Sequence, residues 1–497
     1  MNLNRRSFLS RSLTTALSTS AVANTLFHLR GIGSALAAGG GSVTGYKGMV
    51  CLFLKGGNDS NNTIIPVTGA NRTAYDAGRG VLAVSAASLS GTTIAPATYN
   101  DGSTYAFHHK LPKLKQLFAA GDCAVIGNVG TLIAPMTKTD YQNRSVAAPP
   151  QLFSHSDQQV QWQSSVPDKP FTTGWGGRMG DLLSSWNTDL GAQISISMTL
   201  AGANAYQVGS SSVQYAVTTG GSVSYYGYGS PAGYGKAFQT GATQADMLHP
   251  DPSDYSTTAE GRRMRAFQTI MNAGRTNLLE SAYAGTQKRA YEKDILLSSA
   301  LAGVTLTTVF PTTSTGQQLQ MIAKLIAARN TLCQKRQIFY AELNGFDTHD
   351  NQTSTGAGGQ EPLLTELDDA VKAFYDAMVE IGVANEVTLF TSSDFSRTLT
   401  PNKTDATAGS DHAWGGQALV IGGAVNGNNI YGQLANLTLG GPGDVDSGNS
   451  RGRYIPTTSV DEFAATIAKW FGVGSTEMAT VFPNLPRFAH PDLGFMS

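Results

Sequence analysis

Carboxylate, imidazole and hydroxyl groups recur in this 497-residue chain just after short apolar runs. Asp59 follows the run Met49 to Leu54, and Ser154-His155-Ser156-Asp157 precedes a helical pattern. Asp347 and His349 follow the run through Phe339 and Tyr340. Asp394 and Arg397 follow Glu386 to Phe390, and His412 lies in Gly409-Ser410-Asp411-His412, just before a further apolar run. Five such loops gathered at one edge suit a hard-to-borderline divalent metal beside a nucleophile. Each loop also has a plainer reading. Ser154 and Asp157 fit a helix cap, Asp59 fits a turn, and Asp411-His412 fits a surface pair.

The elements that must position these groups alternate. Short strands read at 49–54, 123–126, 337–343, 386–390 and 417–421 end in Gly-, Asn- or Ser-rich turns. Between them, Leu319, Ile322, Ala323 and Ile326 keep one helical face, as do Leu364, Leu367, Val371, Phe374 and Met378. A last amphipathic helix spans roughly 460–471. This pattern predicts an α/β fold with a mostly parallel central sheet flanked by helices, whose ligands bind at the carboxyl ends of the strands. The Gly-, Ser- and Tyr-rich stretch 207–235 has no helical period and reads as a surface excursion or lid, and 258–300 reads as long helices. Together they form an insertion around 200–300 in a single domain over 39–497.

Composition narrows the class. With 34 Lys+Arg against 35 Asp+Glu, the formal net charge of -1 argues against a nucleic-acid or anionic-membrane binder, which would need a basic face. Only 14% of residues are charged and 56 are glycine, the profile of an exported, loop-rich protein, while 41% hydrophobic residues still allow a core. Cys51, Cys123 and Cys333 read as buried thiols, with a Cys51–Cys123 bridge as the alternative. The chain opens with Arg5-Arg6-Ser7-Phe8-Leu9, a weakly apolar middle and Ala35-Leu36-Ala37. That is a secretory signal over 1–38, resembling the twin-arginine export motif. It predicts handling by the twin-arginine machinery, a periplasmic or secreted destination, and no transmembrane segment in the mature chain.

Lys55-Gly56-Gly57-Asn58-Asp59-Ser60-Asn61-Asn62-Thr63-Ile64-Ile65-Pro66 resembles the opening of a family of exported bacterial proteins, domain-of-unknown-function family 1501. The likeness continues at Phe107-His108-His109, Ser154-His155, Gly174-Trp175-Gly176-Gly177-Arg178, Gly345-Phe346-Asp347-Thr348-His349, Ser393-Asp394-Phe395-Ser396-Arg397, Asp411-His412 and Ile455-Pro456-Thr457-Thr458. That family is similar to the alkaline phosphatase and sulfatase superfamily. The resemblance implies an alkaline-phosphatase-like fold and a metal-dependent hydrolase of phosphate or sulfate esters. Asp59, Asp347, His349, Asp394 and His412 would hold a divalent metal, zinc or a neighbour, and Ser154 would be the nucleophile. His155 would act as acid–base or ligand, and Arg397 would neutralise the transferring oxyanion. The substrate would be a small-molecule, glycan or lipid ester. Phe395 stands where the superfamily has a second-site histidine, Ser60 where the family has Gly, and no Cys-x-Pro-x-Arg sulfatase signature occurs. The alternative is a non-catalytic exported binding or surface-assembly protein on the same scaffold.

Overall fold

The computed structural model describes residues 45–222, 237–274, 276–446 and 450–497. Its centre is the strand Lys47–Lys55 (β1), in which all seven interior residues are buried. Nine further strands of the main sheet are Cys123–Gly130 (β2), Ser197–Thr199 (β3), Tyr215–Thr218 (β4), Gly221–Ser222 (β5), Arg336–Asn344 (β6), Val387–Ser393 (β7), Gly416–Ile421 (β8), Asn429–Gly432 (β9) and Thr458–Ser459 (β10). Among the described residues the order is β9-β2-β8-β7-β1-β6-β3-β4-β5, with β10 also paired to β2. Pairing is parallel from β7 through β1, β6 and β3 to β4. β8 runs antiparallel to both β7 and β2.

Alternation along β1 explains why it is apolar throughout. Val50, Leu52 and Leu54 join one core with Leu114, Phe118, Ile322 and Phe374, while Met49, Cys51 and Phe53 join a second with Trp162, Trp175 and Phe463. Successive side chains of a strand point to opposite faces, so both faces of the sheet are covered. Pro112–Ala120 (α1), Ser314–Ala327 (α6) and Gln360–Glu380 (α7) lie on the first face, in chain order around the helices named next. His155–Ser164 (α2), Trp175–Leu183 (α3) and Val460–Phe471 (α8) lie on the second. The two helices between these sets, Ala259–Asn272 (α4) and Leu278–Ala302 (α5), pack on a small core of their own made by Phe238, Tyr255, Met264, Tyr291 and Ile295.

The fold class, an α/β protein with a mostly parallel mixed sheet between helices, agrees with the sequence reading. Two local differences stand out. β2 runs through Gly127 to Gly130 instead of stopping at the glycine; a Cβ at Gly127 would come within 2.8 Å of the Gln433 backbone, so this glycine admits a neighbouring segment. The excursion expected at 207–235 contains β4 and β5 in its first part, and 223–235 lies outside the described residues, as does the signal segment 1–38. The three cysteines are free thiols, with Cys51 and Cys123 buried. No described helix is long and apolar enough to cross a membrane.

Candidate functional site

The parallel strands β1, β6 and β7 end at one edge, at Lys55, Asn344 and Ser393. Because β8 is antiparallel, it begins at that same edge, which brings the 409–415 loop there from a segment that precedes a strand. Gly56 and Gly57 make the edge tight. Both have positive φ, and a Cβ would meet the Asp347 backbone at 2.5 Å or the Phe395 ring at 2.5 Å. The loops after β1, β6 and β7 are therefore in mutual contact.

Two polar clusters form there. The first is closed. Asp59 is buried, accepts the Asn61 N–H at Oδ1 (3.0 Å), and pairs through Oδ2 with the guanidinium of Arg79 and the amide of Gln352. Arg79 is fully buried and donates to the carbonyls of Thr398 and Leu399 (2.9 Å each) and to Asn62 Oδ1 (3.0 Å). Asp59 thus has protein partners on both oxygens and caps the turn Ser60–Asn62.

The second cluster is open. Asp347 Oδ1 lies 3.2 Å from His349 Nε2, 3.4 Å from His155 Nε2 and 3.7 Å from His412 Nε2. His349 Nε2 and His412 Nε2 are 2.8 Å apart. The other nitrogen of each ring is held by an acceptor. His155 Nδ1 faces Asp394 Oδ2 at 2.6 Å, His349 Nδ1 faces Asp411 Oδ1 at 3.1 Å, and His412 Nδ1 faces the Phe153 carbonyl at 2.6 Å. A carbonyl or carboxylate only accepts, so each Nδ1 carries a proton and each ring turns its Nε2 inward. Burial, with the nearby His155 and Arg397 charges, leaves His412 below the ordinary imidazole range, although its hydrogen bond to the Phe153 carbonyl works the other way. Burial, with the Arg397 guanidinium next, does the same to His349. The hydrogen bond to Asp394 instead raises His155. Burial would raise Asp347, but the Arg397 guanidinium outweighs it and holds this carboxylate low.

The Nε2 atoms of His349 and His412, 2.8 Å apart beside a carboxylate oxygen, can share a proton or jointly hold a cation. His155, Asp347 and His412 form a ligand group whose donor atoms all lie within 4.8 Å of one another, and His349 adjoins two of them. Ligand atoms around a tetrahedral zinc with bonds of about 2.0–2.1 Å stand roughly 3.3 Å apart, and the Asp347 separations bracket that value. Imidazoles backed by carboxylates and a carbonyl are the usual support of metal-binding histidines. His155 Nε2 is buried without a hydrogen bond, the vacancy a ligand atom leaves. The donor set fits zinc or a neighbouring transition metal.

The other sequence candidates stand around this group. Asp394 is buried behind His155, accepting the Gly56 N–H at 3.2 Å and the Gln159 amide at 2.8 Å; its contacts are those of a support for His155 and not of a ligand. Arg397 is buried with its N–H groups on the carbonyls of Gly56, Gly57, Phe346 and Ser410 and on Asp347. It ties three loops together and holds Asp347, leaving no edge for a substrate oxyanion. Ser154 is the residue before α2 begins, and its hydroxyl donates to Asp157 Oδ2 at 2.5 Å. Phe395, in place of the expected histidine, packs on the rings of His155 and His412 at 4.7 and 4.6 Å.

Sequence reasoning left out Asp411 as a support, the Phe153 carbonyl, and Arg451, whose guanidinium pairs with Asp411 Oδ2. Phe153 has φ of 70°, a costly conformation for a non-glycine residue that aims its carbonyl at His412. A second group, His108, His109 and Glu361, also gathers ligand atoms. There His108 Nδ1 accepts the Lys110 N–H at 3.2 Å and Lys110 Nζ already lies 3.5 Å from Glu361. His108 therefore turns an N–H outward, and that group does not fit a metal.

Fold and site define an α/β protein with a histidine–carboxylate cluster at the carboxyl edge of its sheet. The chain belongs to the sequence family described as a protein of unknown function (DUF1501), which matches residues 205–482. Among solved structures, PsFucS1 sulfatase from Pseudoalteromonas sp. is similar at 12% identity and a TM-score of 0.30, over 83% of this chain and 69% of that one. No curated protein matches.

Proposed function

We propose that the protein is an exported metal-dependent hydrolase of phosphate or sulfate esters carried by a small molecule, glycan or lipid. The observation that carries this reading is the convergence of the Nε2 atoms of His155, His349 and His412 on Asp347 Oδ1, with the Nδ1 of each ring held by an acceptor. A divalent ion bound there supplies Lewis acidity toward an ester oxygen and makes a bound water acidic. The chain's own groups divide the remaining work. Ser154, its hydroxyl hydrogen-bonded to the Asp157 carboxylate, is the candidate nucleophile with Asp157 placed to take its proton. Arg397 fixes Asp347 from behind. Arg451, partly exposed and held on Asp411, is the candidate cation for an anionic ester.

The experiment is metal content per chain in natively purified protein, with turnover of an aryl phosphate and an aryl sulfate. Wild type should carry zinc or a neighbouring transition metal. His412→Ala should lose most of it while keeping its far-UV circular dichroism, since a loop-end ligand carries little of the core. Wild type without metal, even after incubation with zinc and manganese, overturns the reading in favour of an exported binding protein. The twin arginines support export by the corresponding machinery. An Arg5→Lys/Arg6→Lys variant should accumulate uncleaved in the cytoplasm, and normal periplasmic recovery of that variant would remove this part.

A further inference from the structure

Helices α4 and α5 form a hairpin held at its base by Phe238, Tyr255, Met264, Tyr291 and Ile295. Its far end is unlike its base. Leu278, Leu279 and Tyr283 are 76%, 80% and 65% exposed, three large apolar side chains within six residues. At 100° per residue, Leu278, Leu279 and Arg289 fall on one outward side of α5.

The charge around this tip is lopsided. From 259 to 302 the sequence carries seven Lys and Arg against four carboxylates, in a chain whose total is -1, and one of those carboxylates, Asp294, is buried. Arg262, Arg263 and Arg265 on α4 and Arg289 on α5 are exposed. Arg289 lies eleven residues past Leu278, roughly 16 Å at the helical rise of 1.5 Å per residue. An apolar end with exposed cations behind it suits a bilayer interface, where side chains enter about 5–10 Å and lysines and arginines reach the headgroups. A protein partner would meet the same leucines without needing the arginines.

We infer that the α4–α5 hairpin docks on a lipid surface containing anionic phospholipid, with Leu278, Leu279 and Tyr283 entering the interface and the flanking arginines on the headgroups. Near-neutral total charge does not oppose this, because attraction to a charged surface falls off within a Debye length and depends on the local face. The site of the proposed hydrolysis is not involved, so the two readings stand or fall separately.

The test is co-sedimentation of the mature chain with vesicles of phosphatidylglycerol and phosphatidylcholine, against vesicles of phosphatidylcholine alone. Binding should favour the anionic vesicles and weaken with salt. Leu278→Ser/Leu279→Ser should reduce the partition coefficient about tenfold or more. Arg262→Gln/Arg263→Gln/Arg265→Gln should cost about fivefold per arginine on anionic vesicles only. Circular dichroism and thermal unfolding, unchanged for substitutions at exposed positions, verify that both variants are folded. Wild type that stays in the supernatant with anionic vesicles at low salt, or a leucine variant that binds like wild type, overturns the inference.

Discussion

Asp59 and Asp347 lie on neighbouring strand-end loops of the same sheet, yet their surroundings are built on opposite plans. Both oxygens of Asp59 accept from protein donors, and its partner Arg79 has no exposed surface. Asp347 has one guanidinium on it, is half exposed, and faces three imidazole Nε2 atoms whose rings are anchored through Nδ1 on the far side. A polar network that satisfies itself is a structural tie, since an unpartnered buried charge is expensive. One that gathers several ligand atoms on an open side leaves room for something supplied from outside. Residue type alone does not separate the two plans; the placement of protons does.

The largest expected effect comes from opening the closed cluster. Arg79→Met leaves Asp59 buried and uncompensated, along with two carbonyls, and should destabilise the fold by about 3–5 kcal/mol. Urea unfolding of the metal-free protein measures this. A loss under about 1 kcal/mol would mean that water reaches Asp59 and that the two clusters differ less than their contacts indicate.

A smaller effect sharpens the open cluster. Asp411 holds the proton of His349 on Nδ1 without belonging to the inward-facing set. Asp411→Asn should weaken zinc binding about 10–100-fold, while stability of the metal-free chain shifts by no more than about 1 kcal/mol, as expected for a partly exposed pair. Competition with a chromophoric chelator gives the affinity. Unchanged affinity would show that the ring of His349 is oriented without Asp411.

Much of the fold is legible in the sequence because its signals are local. The helix Val460–Phe471 has its Ser459 and Glu462 capping box and its Gly472 stop in the chain itself. The apolar run of β1 announces a strand buried on both faces. Of the site, the loops are legible and the pairing is not. Asp59 reads as a possible ligand until the helix Gly69–Arg79 brings Arg79 beneath it, and nothing in a string of residues marks that arginine as buried. His412 precedes its strand, so only the antiparallel direction of β8 explains its arrival at the carboxyl edge. The Phe153 carbonyl has no signature at all, because a backbone acceptor is present at every position.

The central place of β1 also sets a timetable for biosynthesis. Its neighbours are β6 and β7, and Tyr46 and Gln337, hydrogen-bonded at the start of these strands, are 291 residues apart along the chain. Loop closure over such separations is slow, and an apolar strand awaiting its partners is prone to aggregate. The first-made strand must therefore remain shielded until β7 has left the ribosome, and the four inward-facing donors, drawn from 155 to 412, cannot assemble earlier. Any ion held by these donors would therefore be captured late, following completion of the sheet instead of guiding it.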